Sequence, residues 1–185
     1  MSNPISVLGI SGSVRKGSYN TALLRAAQGL APAGMSIAIA DISKLPLYDG
    51  DLESSSGIPP VAEDLRARIR AADAVLIATP EYNGSFSGAL KNAIDWASRP
   101  PHQAFAAKPV AIMGASGGAL GTVRSQAHLR DVLTMLDARM VNAPQVFVGA
   151  AHTKIEDGVL KDQPSLDFIK TLLDNLAAWV ATLRA

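Results

Sequence analysis

Three short stretches of the chain carry residue types that could do chemistry. In the first, Gly12-Ser-Val-Arg-Lys-Gly-Ser-Tyr-Asn20, the hydroxyls of Ser13 and Ser18, with Ser11 just ahead, surround one fixed cation, Arg15. The helix-like run beginning at Tyr19 follows directly. A helix start offers unpaired backbone N–H groups and a partial positive charge, so serines and an arginine there form a socket for a single phosphate. Two nucleotide motifs of similar outline are not met. Gly12 and Gly17 have P-loop spacing, but Lys16 precedes the second glycine and Ser18 stands where the lysine should follow. A dinucleotide fingerprint needs three glycines in a six-residue turn, and Gly9 and Gly12 are followed by Val14 and Arg15. Simple capping of the helix by Ser18 or Asn20 remains an equal alternative.

The second stretch, Thr79 to Ser85, sets Pro80, Glu81, Tyr82, Asn83 and Gly84 side by side after an apolar run. A flat heterocycle could rest against it, with backbone N–H groups and Asn83 reaching a carbonyl edge. The alternative is a turn in which Pro80, Asn83 and Gly84 supply backbone geometry and Tyr82 packs. The third, Gly114-Ala-Ser-Gly-Gly118, is a literal G-x-S-x-G after an apolar run, followed in order by Asp131 or Asp137 and His152. That is the chain order of a serine hydrolase with a nucleophile elbow. Against it, no HGGG-type oxyanion motif is present, and the first two stretches would be left without a role.

Composition narrows the classes further. A formal charge of +1 with scattered Lys and Arg gives no attraction to nucleic acid. The absence of cysteine excludes disulfides, thiol nucleophiles and cysteine-based metal sites, and no metal site is expected. No basic-then-apolar leader opens the sequence, and no apolar stretch approaches the roughly 20 residues of a membrane span. The expectation is a soluble cytoplasmic protein that uses neither membrane nor nucleic acid. At 185 residues, 48% of them hydrophobic, the chain is expected to form one domain over residues 1–185.

These stretches must be positioned by the elements between them. Apolar runs at Ile5–Ile10, Ser36–Asp41, Ala74–Thr79, Pro109–Gly114 and Met140–Val148 alternate with helical patterns at Tyr19–Ala31, Pro60–Ala71, Gly88–Ser98, Ala119–Asp137 and Pro164–Leu183. That alternation predicts an α/β fold with a five-stranded parallel sheet and helices on both faces. Asp41 to Ile58 is expected to be irregular. In such sheets ligands sit beyond the carboxyl ends of the strands, where the strand order reverses. With the order 2-1-3-4-5, the loops after the first and third strands flank that point, and a mononucleotide is the natural ligand.

Taken together, the first two stretches resemble the NADPH-dependent FMN reductase family, which includes quinone, chromate and azo-dye reductases. GSVRKGSYN matches the family's G-S-x-R-x-x-S-x-N, and PEYNGSFSGALKNAIDW matches P-E-Y-N-x-S-x-P-G-x-L-K-N-A-I-D-W, over a likeness running from about Val7 to the Arg130 region. The resemblance implies a flavodoxin-like three-layer sandwich that binds FMN and takes electrons from NADPH or NADH. It implies Ser13, Arg15, Ser18, Tyr19 and Asn20 around the phosphate. Pro80, Glu81, Tyr82, Asn83 and Gly84 would lie along the ring, with Ser116 and Gly117 beside it. No side chain is required as an acid or base, so no catalytic residue is expected. Electrons would pass to a small-molecule acceptor such as a flavin, quinone, azo compound or chromate, and a homodimer or homotetramer is expected. Ser87 departs from the family's usual proline, Gly84 from a frequent aromatic and Gly121-Thr122 from a glycine pair. Lys91, Asn92, Asp95 and Trp96 are expected to serve the helix and its packing. A flavodoxin-type carrier without activity is the remaining alternative, and a near-neutral charge does not suit it.

Overall fold

The computed structural model describes residues 4–185, so Met1–Asn3, part of the segment read for a leader, lie outside it. Its centre is a parallel sheet built from β1 (Ile5–Ser11), β2 (Met35–Ala40), β3 (Ala74–Ala78) and β4 (Pro109–Ala115), with β5 (Arg139–Met140) and β6 (Val146–Val148) sharing one edge. The order is β2-β1-β3-β4-β5, with β6 paired further along β4. This is the expected 2-1-3-4-5 arrangement with its reversal between β1 and β3.

The strands are apolar on both faces because helices cover both. Along β3, Ala74, Leu76 and Ala78 face one cluster, which holds Leu23 and Leu24 of α1 (Tyr19–Leu30) and Leu172, Leu173 and Leu176 of α6 (Gln163–Arg184). Val75 and Ile77 face the other. That second cluster holds Leu65 and Ile69 of α3 (Pro60–Ala71), Leu90 and Ile94 of α4 (Gly88–Ala97), and Leu129 and Leu133 of α5 (Val123–Met135). This two-residue alternation is why such strands read as unbroken apolar runs. Among the described residues no helix is long and apolar enough to cross a membrane.

The differences from expectation have local causes. The run Met140–Val148 is interrupted at Val141–Gln145, where Pro144 has no N–H to give a ladder. Residues Ala119–Thr122 form a turn rather than the first turn of α5, with Gly121 at φ +62°. Within the stretch expected to be irregular, α2 (Gly50–Ser56) forms behind a capping Asp49, and none of its residues is buried. It therefore left no apolar period to read. A short 3-10 turn (Ala151–Thr153) and the hairpin of β7 (Ile155–Glu156) and β8 (Val159–Leu160) were likewise too brief for periodicity.

The residues of α4 assigned to packing do pack. Trp96 is fully buried and its Nε1 donates to the Pro46 carbonyl at 2.9 Å. Asn92 donates to the same carbonyl and accepts from the Tyr48 N–H, so α4 holds down the chain after β2. Lys91 and Asp95 form an i,i+4 ion pair at 2.7 Å.

Candidate functional site

The three loops singled out in the sequence meet at the carboxyl end of the sheet. One cleft of about 110 Å³ is bordered by Ser13, Arg15, Ser18, Tyr19 and Asn20 of the first loop, Pro80–Tyr82 of the second, and Ser116 and Gly117 of the third. Asn83 and Gly84 border an adjoining cleft of about 600 Å³, together with Glu81, Ser116, Gly117 and Arg124. Every residue predicted for the site thus lines one cleft or the other.

The first loop is tied down at its ends and open in its middle. At its start, Ser11 Oγ accepts from the Ser13 N–H and donates to the Ser13 carbonyl. At its end, Ser18 Oγ accepts from the Thr21 N–H at 3.2 Å, so Ser18 caps α1. The N–H groups of Tyr19 and Asn20 belong to the first turn of that helix, which has no intrahelical acceptors for them. The Asn20 side chain turns inward, where it donates to the Ala115 carbonyl and accepts from the Ala115 N–H. It thereby locks the first loop to the end of β4. Between these anchors, Ser13 Oγ is buried with no hydrogen-bond partner. Arg15 is exposed, lies 5.5 Å from the Tyr19 ring centre and spends one donor on its own loop, at the Gly17 carbonyl. An orphaned buried hydroxyl normally costs about 1–3 kcal/mol, which a ligand acceptor would relieve. With the open helix N-terminus and a cation free to swing over it, these residues fit a phosphate.

The second loop is closed upon itself and upon α5. Tyr82 and Ser85 exchange two backbone hydrogen bonds, and Asn83 and Gly84 between them have φ of +51° and +75°. That is the Asn-Gly turn of a two-residue hairpin, in which both central residues must be left-handed. The turn leaves Tyr82 half exposed at 50%. The turn reading of this stretch therefore holds for its backbone, while Tyr82 stands out from it. Glu81 is buried. Its carboxylate accepts from the N–H groups of Arg124 and Ser125 at 3.0 and 3.1 Å and from Arg124 Nε and Nη2 at 2.8 and 2.7 Å. Burial by itself would raise this carboxyl, but the Ser125 N–H, the Arg124 guanidinium and the Arg124 N–H together hold it below the usual glutamate range. The Pro80 carbonyl accepts from the hydroxyls of Thr79 and Ser125. These buried partners on α5, and Ser87, which caps α4 and donates to the Gly12 carbonyl, were not singled out from the sequence. Lone hydroxyls on a helix give no signal until the fold brings their acceptor to them.

The third loop is not a nucleophile elbow. Ser116 Oγ donates to the Gly121 carbonyl at 2.6 Å, and His152 is an exposed residue of the 3-10 turn. Gly114 is glycine for a different reason: a Cβ there would sit 2.3 Å from Thr122 Oγ1 and 2.4 Å from the Thr79 carbonyl oxygen. The Gly117 and Gly118 N–H groups find no protein acceptor among the described residues.

Comparison with known proteins agrees with this geometry. Residues 5–153 match the model of the NADPH-dependent FMN reductase family. The chain is 54% identical, over all of both chains, to an NAD(P)H-dependent FMN reductase of Pseudomonas aeruginosa. It is 44% identical to a quinone reductase of Escherichia coli, covering 91% of this chain and 92% of the other. Among solved structures it is similar to FerB, a flavoenzyme NAD(P)H:(acceptor) oxidoreductase from Paracoccus denitrificans, with 33% identity and a TM-score of 0.86 over 96% of this chain and 98% of the other. Both the hydrolase and the inactive-carrier alternatives fall with these matches. The loop that resembled a phosphate socket, the tyrosine-bearing turn opposite it and the flavodoxin-like sheet beneath them belong together because the chain is a member of the NADPH-dependent FMN reductase family, an oxidoreductase that uses FMN and NAD(P)H.

Proposed function

We propose that FMN lies across the three loops and that the enzyme uses it to reduce quinones. The phosphate rests on the first loop, where Ser13 Oγ donates to it, the Tyr19 and Asn20 N–H groups point at it and Arg15 closes over it. Ser18 positions this socket by capping α1, and Asn20 by gripping Ala115. The ring lies along Pro80, Glu81, Tyr82, Asn83 and Gly84 on one side and Ser116 and Gly117 on the other. Bound FMN supplies the hydride chemistry. The chain supplies orientation and electrostatics, and the open N–H groups of Gly117 and Gly118 are placed to stabilise negative charge at the ring's edge. Nicotinamide and acceptor use the same exposed face in turn. The quinone reductase relative supports a quinone as acceptor, and we expect a cytoplasmic homodimer or homotetramer.

The observation that carries this reading is the orphaned Ser13 hydroxyl beside an exposed, mobile-length cation in the cleft where all three loops converge. Titration of the apo-protein with FMN and with riboflavin, which lacks the phosphate, tests it. Arg15→Ala removes a charge-assisted contact of roughly 1.5–3 kcal/mol, so FMN affinity falls about 10- to 100-fold. Riboflavin affinity and the apo-protein's melting temperature stay where they are. Equal losses for both flavins, or none for either, would sink the phosphate assignment.

A further inference from the structure

The wide cleft beside the proposed ring site has a wall that is mostly backbone. Gly84, Gly117, Gly118 and Gly121 line it, and Arg124 is the one cationic side chain that reaches it. That cation is already compensated, because Glu81 takes its Nε and Nη2 edge at 2.8 and 2.7 Å and the carboxylate is held ionised. A side-on pairing of this kind leaves Nη1 turned away from the carboxylate. The arginine side chain is 64% exposed while the glutamate's is 7% exposed, so the cleft sees a fixed N–H donor with little net charge behind it.

We propose that this cleft selects an uncharged, fused-ring quinone over an oxyanion such as chromate, with Arg124 Nη1 donating to a quinone carbonyl and Gly84 leaving room for the second ring. The inference rests on the reading that FMN occupies the adjoining cleft. An oxyanion brought to Arg124 meets the Glu81 carboxylate directly behind the guanidinium, so attraction and repulsion largely cancel. A carbonyl oxygen needs only the donor. The cleft's volume of about 600 Å³ lies within the roughly 300–1,000 Å³ of pockets that take flat, multi-ring ligands. At Gly84 an added Cβ would stand 3.9 Å from Arg124 Cδ and Nε, so any longer side chain there enters the space between the turn and the arginine. The chain also has no cysteine, and so offers no thiol for an electrophilic quinone to arylate. The net reaction takes a hydride from NAD(P)H and a proton from water, and yields NAD(P)⁺ and the hydroquinone.

The test uses FMN-saturated, oxidised holoprotein at pH 8, where exposed histidines are neutral, with no NAD(P)H, so that acceptors bind without reacting. Perturbation of the flavin spectrum gives dissociation constants for 1,4-benzoquinone, 1,4-naphthoquinone and chromate, and FMN affinity is measured for every variant. The wild type should prefer the two-ring quinone by about tenfold, on the scale of a few buried ring carbons. Chromate should not displace it. Gly84→Asn keeps a residue that tolerates the left-handed turn but fills the cleft, and should cut the two-ring preference to about threefold or less. Arg124→Leu should weaken both quinones about tenfold, while Arg124→Gln, which keeps a donor without the charge, should restore most of that loss. Competitive binding of chromate, an unchanged ring preference in Gly84→Asn, or a Gln variant as weak as the Leu variant would each overturn the proposal. A wild type that binds FMN but shows no such selectivity overturns this inference alone, whereas failure to bind FMN overturns the flavin-site reading and this one together.

Discussion

The first and second loops sit on the same sheet edge, yet they satisfy their polar groups in opposite ways. In the second loop each strong group is partnered within the protein: Glu81 by two N–H groups and a guanidinium, the Pro80 carbonyl by two hydroxyls, and Tyr82 by Ser85 across the turn. The first loop is partnered only at its two ends, by Ser11 and by Ser18 with Asn20. Its middle keeps a buried hydroxyl without a partner and an arginine folded onto its own chain. A loop completed internally is a preformed platform, stable whether or not a ligand is present. A loop left incomplete gains its last partners from the ligand, and so carries affinity rather than stability.

The largest way to break this contrast is at the second loop. Glu81→Gln removes a buried carboxylate that serves two backbone donors and a guanidinium, and should destabilise the apo-protein by about 2–3 kcal/mol, read as a shift in denaturant midpoint. Its pH dependence sharpens the point. Because the folded carboxyl titrates below the usual range, its contribution is complete above the unfolded glutamate value of about 4.3 and is lost as pH falls through the lowered folded value. The stability gap between wild type and variant should therefore narrow in acid and be constant near neutrality; a gap that widens in acid contradicts the assignment. A smaller effect is expected for Ser125→Ala, which takes one of two hydroxyls from the Pro80 carbonyl and leaves Thr79 to serve it. About 1 kcal/mol should be lost, with FMN affinity reduced no more than about threefold. The smallest stability effect belongs to Ser13→Ala in the first loop. Its hydroxyl has no partner to lose, so the apo-protein's stability should change by no more than about 0.5 kcal/mol. FMN affinity should nevertheless fall about tenfold while riboflavin binding is spared. A Ser13→Ala protein that is markedly less stable yet binds FMN normally would erase the distinction between the loops.

Much of this was legible in the chain. The apolar strands and the helices between them followed from periodicity, because a strand buried on both faces must be apolar throughout and α1 and α3 to α6 each have an apolar stripe. The strand order and the placing of three loops at one edge followed from the short connections and the right-handedness of parallel crossovers. The paired motifs around Ser13–Asn20 and Pro80–Gly84 pointed to the family before any geometry was known. What sequence alone did not decide was the partner of each polar group. Ser18 caps a helix, Asn20 grips Ala115, Glu81 is held by α5, and Ser116 bonds to Gly121 instead of a histidine. The G-x-S-x-G pattern was ambiguous for the same reason, since Gly114 is required by the approach of Thr122 and Thr79, residues 8 and 35 positions away in the chain. Hydrophobic burial leaves a periodic record in the sequence, because every element facing the core must repeat it. A hydrogen bond between two loops is one contact at one distance and angle, and it exists only once the tertiary structure has brought its donor and acceptor together.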